Sequence, residues 1–164
     1  MVRPATVDDA DAIARVHVET WRAAYAHAIP AETLAAVDVG RRAANWREWI
    51  GSGTSTTFVG QLGDEVVGFV NVGPSRNEPG LGELYAIYVL PKAWGSGVAA
   101  ELIERGEEEL RSRGLSSVFL NVLADNPRAR RFYERHGWVA DPETFEDEVL
   151  GERLELARYR KQLA

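Results

Sequence analysis

The sequence predicts an α/β fold in which a mixed, mostly antiparallel central sheet is flanked by helices. Two apolar runs, Thr57–Leu62 and Val66–Val72, are joined by the turn pair Gly63-Asp64, a pattern typical of a β-hairpin. A succession of strand, helix and strand between residues 84 and 123 indicates a parallel crossover, because parallel neighbours need a long connection. With 164 residues and no internal repeat or linker, the chain is expected to form one domain over residues 1–164.

The N-terminal third is predicted to be mainly helical. After a short strand at Val2–Ala5, Thr6 is a favourable N-cap residue, and the carboxylates of Asp8 and Asp9 suit the positive end of a helix dipole. Apolar, aromatic and small residues then recur at helical spacing: Ile13, Val16, His17, Thr20, Trp21 and Ala24. Two further helical segments are expected beyond Pro30: Ala31–Val37 and Arg41–Ile50.

The remaining segments alternate between strands and helices. Leu84–Leu90 is a strongly apolar strand candidate that ends at Pro91, which cannot donate to a ladder. Gly97–Arg113 carries an apolar stripe at helical spacing, and Gly114 is a natural helix end. The later segments are a strand at Val118–Leu123, a helix at Pro127–His136, a loop over Asp141–Glu148, and strands at Trp138-Val139 and Leu154–Tyr159.

Composition excludes several classes of protein. The formal net charge of -6 disfavours nucleic-acid binding, which uses clustered positive charge. There is no cysteine, and His17 and His27 lack the spacing of metal ligands, so neither a disulfide nor a metal site is expected. No segment resembles a signal peptide or a membrane span, so we expect a cytoplasmic protein without a membrane partner. A homodimer stays open, since dimers are the commonest soluble assembly.

A glycine-bearing turn follows the strand at Leu84–Leu90 and opens the next helix. Such a turn brings together unpaired backbone N–H groups and the positive end of the helix dipole, which favours an anion. Gly95 and Gly97 allow a ligand to approach the main chain closely. The turn lacks the third glycine of a dinucleotide fingerprint and the Gly-Lys-Ser/Thr of a phosphate loop, so a pyrophosphate on another carrier fits better.

This turn and two other segments resemble the GNAT superfamily of acetyl-coenzyme A (acetyl-CoA) dependent N-acyltransferases. Lys92–Gly97 is similar to the family's Gln/Arg-x-x-Gly-x-Gly/Ala turn, with lysine in place of the usual glutamine or arginine. Asn126–Ala129 and Tyr133–Trp138 are similar to its Asn-x-x-Ala and Tyr-x-x-x-Gly-Phe run. Arg3–Thr6 and Trp21–Tyr25 resemble a subgroup of small bacterial members, so the resemblance covers nearly the whole chain.

The resemblance implies an acyl-CoA cleft between two splayed strands. Main-chain groups of Ile87, Tyr88 and Val89 would bind the pantetheine amides. A backbone N–H near Val89 would polarise the thioester carbonyl. Asn126 would also bind the pantetheine arm, and its alternative role is to cap the following helix. The pyrophosphate would be held by Lys92 and by the turn residues Gly95, Ser96, Gly97, Val98 and Ala99.

The resemblance also implies two catalytic residues. An amine with a pKa of ~10.4 is mostly protonated at neutral pH, so its attack requires a base, and the departing thiolate benefits from an acid. Tyr133, at the family's tyrosine position, is predicted to be the general acid, the alternative being a packing role beside Phe132. Glu83, at the start of the central strand, is predicted to be the base, acting through a water; the alternative is a solvated edge residue.

The resemblance therefore predicts an N-acetyltransferase that moves an acetyl group from acetyl-CoA to a primary amine of a small molecule or peptide by direct attack. Two alternatives are an inactive acyl-CoA-binding sensor and an enzyme that uses another acyl-CoA or a hydroxyl acceptor. The acidic residues of Asp141–Glu148 are hypothesised to attract cationic acceptors. Aromatic residues of the first helical region are expected to border the acceptor pocket: Trp21, Tyr25, Trp46 and Trp49.

Overall fold

The computed structural model describes residues 1–164 and places eight strands in one sheet. The strands are β1 (Val2–Pro4), β2 (Thr56–Leu62), β3 (Glu65–Pro74), β4 (Gly82–Val89), β5 (Ser117–Leu123), β6 (Val139–Ala140), β7 (Phe145–Val149) and β8 (Glu152–Gln162). Their order is β1-β2-β3-β4-β5-β8-β6, with β7 also paired to β8. All pairs are antiparallel except β4 with β5. The predicted fold class is confirmed.

Helices cover both faces of this sheet. They are α1 (Ala10–Ala24), α2 (Ala31–Ala35), α3 (Val39–Ser52), α4 (Val98–Ser112) and α5 (Pro127–Arg135). On one face, Ile13 of α1 and Trp46 of α3 pack with Phe69 of β3 in a common apolar cluster. On the other face, Leu102 of α4 packs with Val70 of β3. Because both faces are covered, the interior of β3 is buried throughout, as expected for a central strand.

The apolar stripe of α4 lies directly on the sheet. Val98, Leu102 and Leu110 are fully buried, and Gly106 on the same stripe faces β3. A Cβ atom at Gly106 would lie 3.1 Å from a methyl group of Val72, which is closer than ordinary van der Waals contact. The glycine therefore lets the helix axis approach the strands that lead into the cleft described below.

The strands β4 and β5 separate soon after they meet. Only two residue pairs, Gly82 with Val118 and Glu83 with Phe119, join them. On its other side β4 stays paired to β3 up to Val89, with a register irregularity that skips Tyr85. Such a bulge bends the strand and increases its twist, which accounts for the divergence from β5. The splayed strand pair predicted from the resemblance is thus present.

The prediction of a loop over Asp141–Glu148 is wrong in its second half. Residues Phe145–Val149 form β7, an antiparallel partner of β8. The acidic side chains Glu146, Asp147 and Glu148 are exposed along this strand. A run of charged residues lacks the apolar alternation that marks a half-buried strand, so backbone pairing with β8 determines the structure here.

Candidate active site

The divergence of β4 from β5 opens a cavity of about 390 Å³. Its walls are β4, the C-terminal ends of α1 and β5, and one face of α5. Sixteen of the 23 lining residues are hydrophobic, and none is an aspartate or a glutamate. The cavity is therefore an apolar channel whose charged side chains are all basic.

The main chain of β4 supplies polar groups to this channel. The Leu90 N–H donates to the Val67 carbonyl at 2.8 Å, so this part of the backbone faces β3. Along an antiparallel strand, the N–H and C=O groups of one residue point to the same side, and those of the next residue point to the opposite side. The N–H groups of Val89 and Ile87 therefore point away from β3, toward the cavity, where no strand pairs with them. The Val89 carbonyl accepts a hydrogen bond from Trp94 Nε1 at 3.1 Å.

The turn between β4 and α4 exposes further backbone donors. Gly95 and Gly97 have φ angles of 80° and 92°, in the left-handed region that favours glycine. Four N–H groups here have no backbone partner: those of Gly95, Gly97, Ala99 and Ala100. The Val98 N–H donates to Ser96 Oγ at 3.3 Å. These donors and the helix dipole together form an environment suited to an anion.

Tyr133 lies on the opposite wall of the cavity, on α5. Its side chain is 7% exposed, and burial, with the neighbouring Tyr25 hydroxyl, raises the pKa of Tyr133 above the usual value for tyrosine. The phenol is therefore protonated at neutral pH and can act as a proton donor.

Asn126 caps α5 and lines the cavity at the same time. Its side-chain carbonyl accepts the Ala129 N–H at 3.2 Å, which satisfies one of the free donors at the start of the helix. The side-chain amide can still donate to a ligand. The capping role is therefore present in the structure, and it does not compete with ligand binding.

Comparison with known proteins defines the family. A family model described as the acetyltransferase (GNAT) family matches residues 15–138. The chain is 38% identical over 131 residues to the uncharacterized N-acetyltransferase YuaI of Bacillus subtilis, covering 77% of this chain and 73% of YuaI. The chain belongs to the GNAT family of acetyltransferases.

Solved structures of GNAT proteins have the same fold. The ribosomal-protein-alanine N-acetyltransferase of Brucella melitensis superimposes with a TM-score of 0.80 and 26% identity, covering 99% of each chain. The structure of yncA from Salmonella typhimurium with acetyl-CoA superimposes with a TM-score of 0.77 at 22% identity, covering 100% of this chain and 94% of yncA. The second likeness shows the fold alone.

The cofactor-binding residues expected of a GNAT protein take different positions around the cavity. Ile87, Tyr88, Val89, Ala99 and Asn126 line it. Gly95, Ser96 and Gly97 lie between Trp94 and Ala99, which both line it, and the Val98 side chain is fully buried in the core. Lys92 is not part of the lining, and its ammonium group pairs with the Glu65 carboxylate on β3.

Glu83 lies just outside the cavity, at the point where β4 and β5 are still paired. Its neighbour in the strand, Tyr85, lines the cavity. Burial raises the pKa of the Glu83 carboxyl, while the nearby guanidinium groups of Arg76 and Arg158 act in the opposite direction. A carboxylate with a raised pKa is a stronger base than an ordinary surface glutamate.

An aromatic cluster supports β4 from the side opposite α4. The imidazole of His17 stacks on Tyr88, with 5.4 Å between ring centroids, and its Nδ1 accepts the Trp46 Nε1–H at 3.3 Å. Tyr88 in turn accepts a hydrogen bond from Trp21 Nε1 at 2.7 Å. Of the four aromatic residues expected to border an acceptor pocket, Tyr25 lines the cavity, Trp46 is buried, Trp49 is exposed and Trp21 binds Tyr88.

Three basic lining residues were not among the site residues predicted from the sequence. Arg128, Arg131 and Arg135 all project from α5 into the cavity wall. Their spacing of three and then four residues places them on one face of a helix, and this was the only signal in the sequence.

No helix in the structure combines the length and apolar character needed to cross a membrane.

Proposed function

We propose that this GNAT protein transfers an acetyl group from acetyl-CoA to a primary amine by direct attack. The observation that carries the proposal is the unpaired edge of β4, whose backbone donors face an apolar channel with a buried tyrosine on its other wall. An extended ligand with amide groups could add to this edge as a strand would, and the pantetheine arm of CoA has this chemistry.

Each part of acetyl-CoA has a matching group in the site. The free N–H groups of Gly95, Gly97 and Ala99 would bind the diphosphate. Ile87 and Val89 would bind the pantetheine amides together with Asn126. A single backbone N–H, that of Val89, would then stabilise the oxyanion that forms on the thioester carbonyl during attack. The yncA structure was determined with acetyl-CoA, and we extend that cosubstrate to this chain on the basis of the same fold.

The proton transfers require an acid and a base. As the amine nitrogen bonds to the acetyl carbon, its proton passes through a water to Glu83, whose pKa is raised by burial. When the bond between carbon and sulfur breaks, the electron pair goes to the coenzyme A sulfur. Tyr133 then donates the phenolic proton to this thiolate. Amide and free thiol are the products, and no covalent intermediate on the protein is needed.

The acceptor is proposed to be the amine of a small molecule or of a peptide. The Brucella relative is named for the N-acetylation of a ribosomal-protein alanine, which makes a peptide α-amine a reasonable first member of an acceptor panel. The acidic strand β7 lies next to the α1–α2 connection in a shared apolar cluster and remains a candidate for attracting cationic acceptors.

The proposal is tested by measuring free-thiol release from acetyl-CoA across a panel of amines, with thermal-shift binding of acetyl-CoA on the same preparation. We expect amine-dependent thiol release and an acetylated product of matching mass. Stabilisation by acetyl-CoA without release for any amine would instead support a sensor. A product mass showing acetylation of a hydroxyl group, or turnover only with a larger acyl-CoA, would contradict the choice of acceptor or acyl group.

The variant Glu83→Gln separates the base from the rest of the site. The amide keeps the shape of the side chain but cannot take a proton, so we expect thiol release to fall while acetyl-CoA binding is unchanged. The loss should be largest below pH 8, where the acceptor amine is mostly ammonium, and smaller at higher pH. An unchanged pH–rate profile would remove Glu83 from the mechanism.

A further inference from the structure

Four tyrosines line the cavity, and their hydroxyl groups differ in what they contact. They are Tyr25, Tyr85, Tyr88 and Tyr133. The Tyr85 hydroxyl donates to a carbonyl at the end of β3, and the Tyr88 hydroxyl accepts the Trp21 Nε1–H at 2.7 Å. The hydroxyls of Tyr25 and Tyr133 have no hydrogen-bond partner within the protein. These two phenols are therefore free to interact with a ligand or with each other.

Both free hydroxyls lie on an accessible surface. No fully enclosed side-chain oxygen or nitrogen in this protein lacks a hydrogen-bond partner. Because Tyr25 and Tyr133 do lack one, their oxygen atoms lie outside the packed core. The Tyr133 ring is 7% exposed and packs in the main apolar cluster, so the surface that its hydroxyl reaches is the cavity. Tyr25 is half-buried and lines the same cavity from the end of α1.

Tyr25 is the ionisable neighbour that acts on Tyr133. Burial is the main cause that raises the pKa of Tyr133, and Tyr25 is the second, which places the two phenols near each other. No cation lowers this pKa, although three arginines line the same cavity. Burial also raises the pKa of Tyr25, so its hydroxyl stays protonated at neutral pH. A phenolate formed at Tyr133 would therefore have a neutral donor beside it and no cation.

The backbone holds Tyr25 in place at the end of α1. Its N–H donates to the Trp21 carbonyl at 2.9 Å, and its carbonyl accepts the N–H groups of Ala28 and Ile29 at 3.0 and 2.9 Å. Its ring packs against Trp21, with 5.2 Å between ring centroids. These contacts fix the main chain and the base of the side chain, while the hydroxyl stays free to donate toward Tyr133.

Proton transfer from an isolated tyrosine to the departing thiolate is unfavourable. A thiol has an ordinary pKa of ~8.5 and a tyrosine one of ~10, so the equilibrium is ~30-fold against the transfer before any burial. Burial of Tyr133 makes the transfer less favourable still. As the S–H bond forms and the phenolic O–H bond breaks, the negative charge moves from sulfur to the Tyr133 oxygen. A hydrogen bond donated to this oxygen stabilises the phenolate and favours the step.

We propose that Tyr25 is a positioning residue whose hydroxyl donates a hydrogen bond to the Tyr133 oxygen while coenzyme A leaves. This inference rests on the proposed function, because it concerns the acid that protonates the leaving thiolate. The contact forms directly or through one water, since catalytic hydrogen bonds often tighten only when the substrate is bound. The Tyr25 O–H bond does not break. The Tyr133 phenolate regains a proton from water after the thiol departs, which balances the proton that the amine gave up.

A double-mutant cycle on the full chain tests whether Tyr25 acts through Tyr133. Thiol release from acetyl-CoA is measured with the amine of the panel that reacts fastest, for the unmodified protein, Y25F, Y133F and Y25F/Y133F. We expect Y25F to lower kcat by ~10–100-fold, the size of one hydrogen bond to a charged group. The KM for the amine and the dissociation constant of acetyl-CoA should not change. Adding Y25F to Y133F should have almost no further effect, because the phenolate that Tyr25 stabilises no longer forms.

The matched control is Tyr85→Phe. Tyr85 lines the same cavity, but its hydroxyl is bonded to a main-chain carbonyl, so the variant removes the same atom without affecting Tyr25. Any change that Y85F makes in kcat should be the same fold-change with and without Y133F. Circular dichroism and calorimetry with acetyl-CoA on each variant show that the protein is folded and binds its cosubstrate.

The outcomes separate this inference from the proposed function. An equal fold-loss from Y25F in both backgrounds would overturn the inference, because Tyr25 would then act independently of Tyr133. A raised KM for the amine with kcat unchanged would also overturn it and assign Tyr25 to acceptor binding. Neither result would affect amine-dependent thiol release by the unmodified protein. Absence of that release with every amine would overturn the proposed function, and this role of Tyr25 with it.

Discussion

The two walls of the cleft present polar groups of different kinds. The wall formed by β4 and the turn before α4 offers main-chain N–H groups, while the wall formed by α5 offers side chains: Asn126, Arg128, Arg131, Tyr133 and Arg135. A main-chain donor is present whatever the side chain, so the first wall depends on backbone conformation. A side-chain donor disappears with a single substitution, so the second wall depends on residue identity.

The strongest test of this comparison is Gly95→Val on the main-chain wall. The glycine has a φ of 80° with no atom within 4 Å of an added Cβ, so valine meets backbone strain and projects into the space where a diphosphate would lie. We expect no measurable acetyl-CoA binding by calorimetry while the protein stays folded. Gly114→Val is the control, because Gly114 has a φ of 76°, equally open surroundings and a position at the far end of α4. Retained binding in Gly95→Val would show that the donors of this turn are not used.

The corresponding test of the side-chain wall is Tyr133→Phe. Loss of the proton donor should lower kcat by roughly 10²–10⁴ with the dissociation constant of acetyl-CoA preserved. Thiol-release kinetics and calorimetry on the same variant measure the two quantities separately, and circular dichroism confirms folding. A rate equal to that of the unmodified protein would leave Tyr133 with the packing role only.

The stability of the aromatic cluster around His17, which packs behind β4, should depend on pH. Burial, and to a smaller extent the charge of Arg42, lowers the pKa of His17 to about 4. The neutral imidazole lies among aromatic rings and accepts a hydrogen bond from Trp46 Nε1. The unfolded chain, with an ordinary histidine pKa of ~6.5, binds a proton more readily between these two values. The stability that depends on a neutral His17 is therefore fully present above pH ~6.5. About 3 kcal/mol of the free energy of unfolding should be lost as the pH falls to 4.

His17→Gln removes this titration while keeping a hydrogen-bond acceptor for Trp46. We expect the variant to be less stable than the unmodified protein at pH 7, with the difference in unfolding free energy shrinking by about 3 kcal/mol at pH 4. Urea denaturation at the two pH values, followed by tryptophan fluorescence, measures it. A difference independent of pH would mean that the imidazole is solvated enough to titrate normally.

The smallest effect is expected from Ile87→Val, also on β4. The residue should contribute to ligand binding through its backbone, so removal of one methylene group should change the dissociation constant of acetyl-CoA by less than ~3-fold. The side chain packs against the main core, and the variant should cost about 0.5–1.5 kcal/mol of stability. A large loss of affinity would place side-chain contacts on the main-chain wall and weaken the contrast between the walls.

Local patterns in the sequence were sufficient to predict most of the fold. The hairpin around Gly63, the apolar stripe of α4 and the helix end at Gly114 each depend on residues close in the chain, and the structure has all three. The strand β7 escaped prediction because its acidic residues gave no apolar alternation, and its pairing with β8 is a backbone property.

The candidate site was predictable where its chemistry lies in a compact motif. The turn at Gly95 and the position of Tyr133 on α5 illustrate this. The pairing of Lys92 with Glu65 joins residues 27 positions apart, so a local motif could not show it. Likewise the spacing of Arg128 and Arg131 was visible, but the direction that this helix face takes depends on how α5 packs.

The narrow connection between β4 and β5 has a mechanical consequence. Two residue pairs are the only ladder contacts between the four strands β1–β4 and the four strands β5–β8. A ligand that bonds to the free edge of β4 on one side and to α5 on the other would connect the two halves of the sheet. A bound ligand should therefore slow amide hydrogen exchange at Ile87 and Val89 directly. It should also slow exchange in β5, because β4 and β5 would separate less often. A cosubstrate bound in this way would also complete the interrupted sheet.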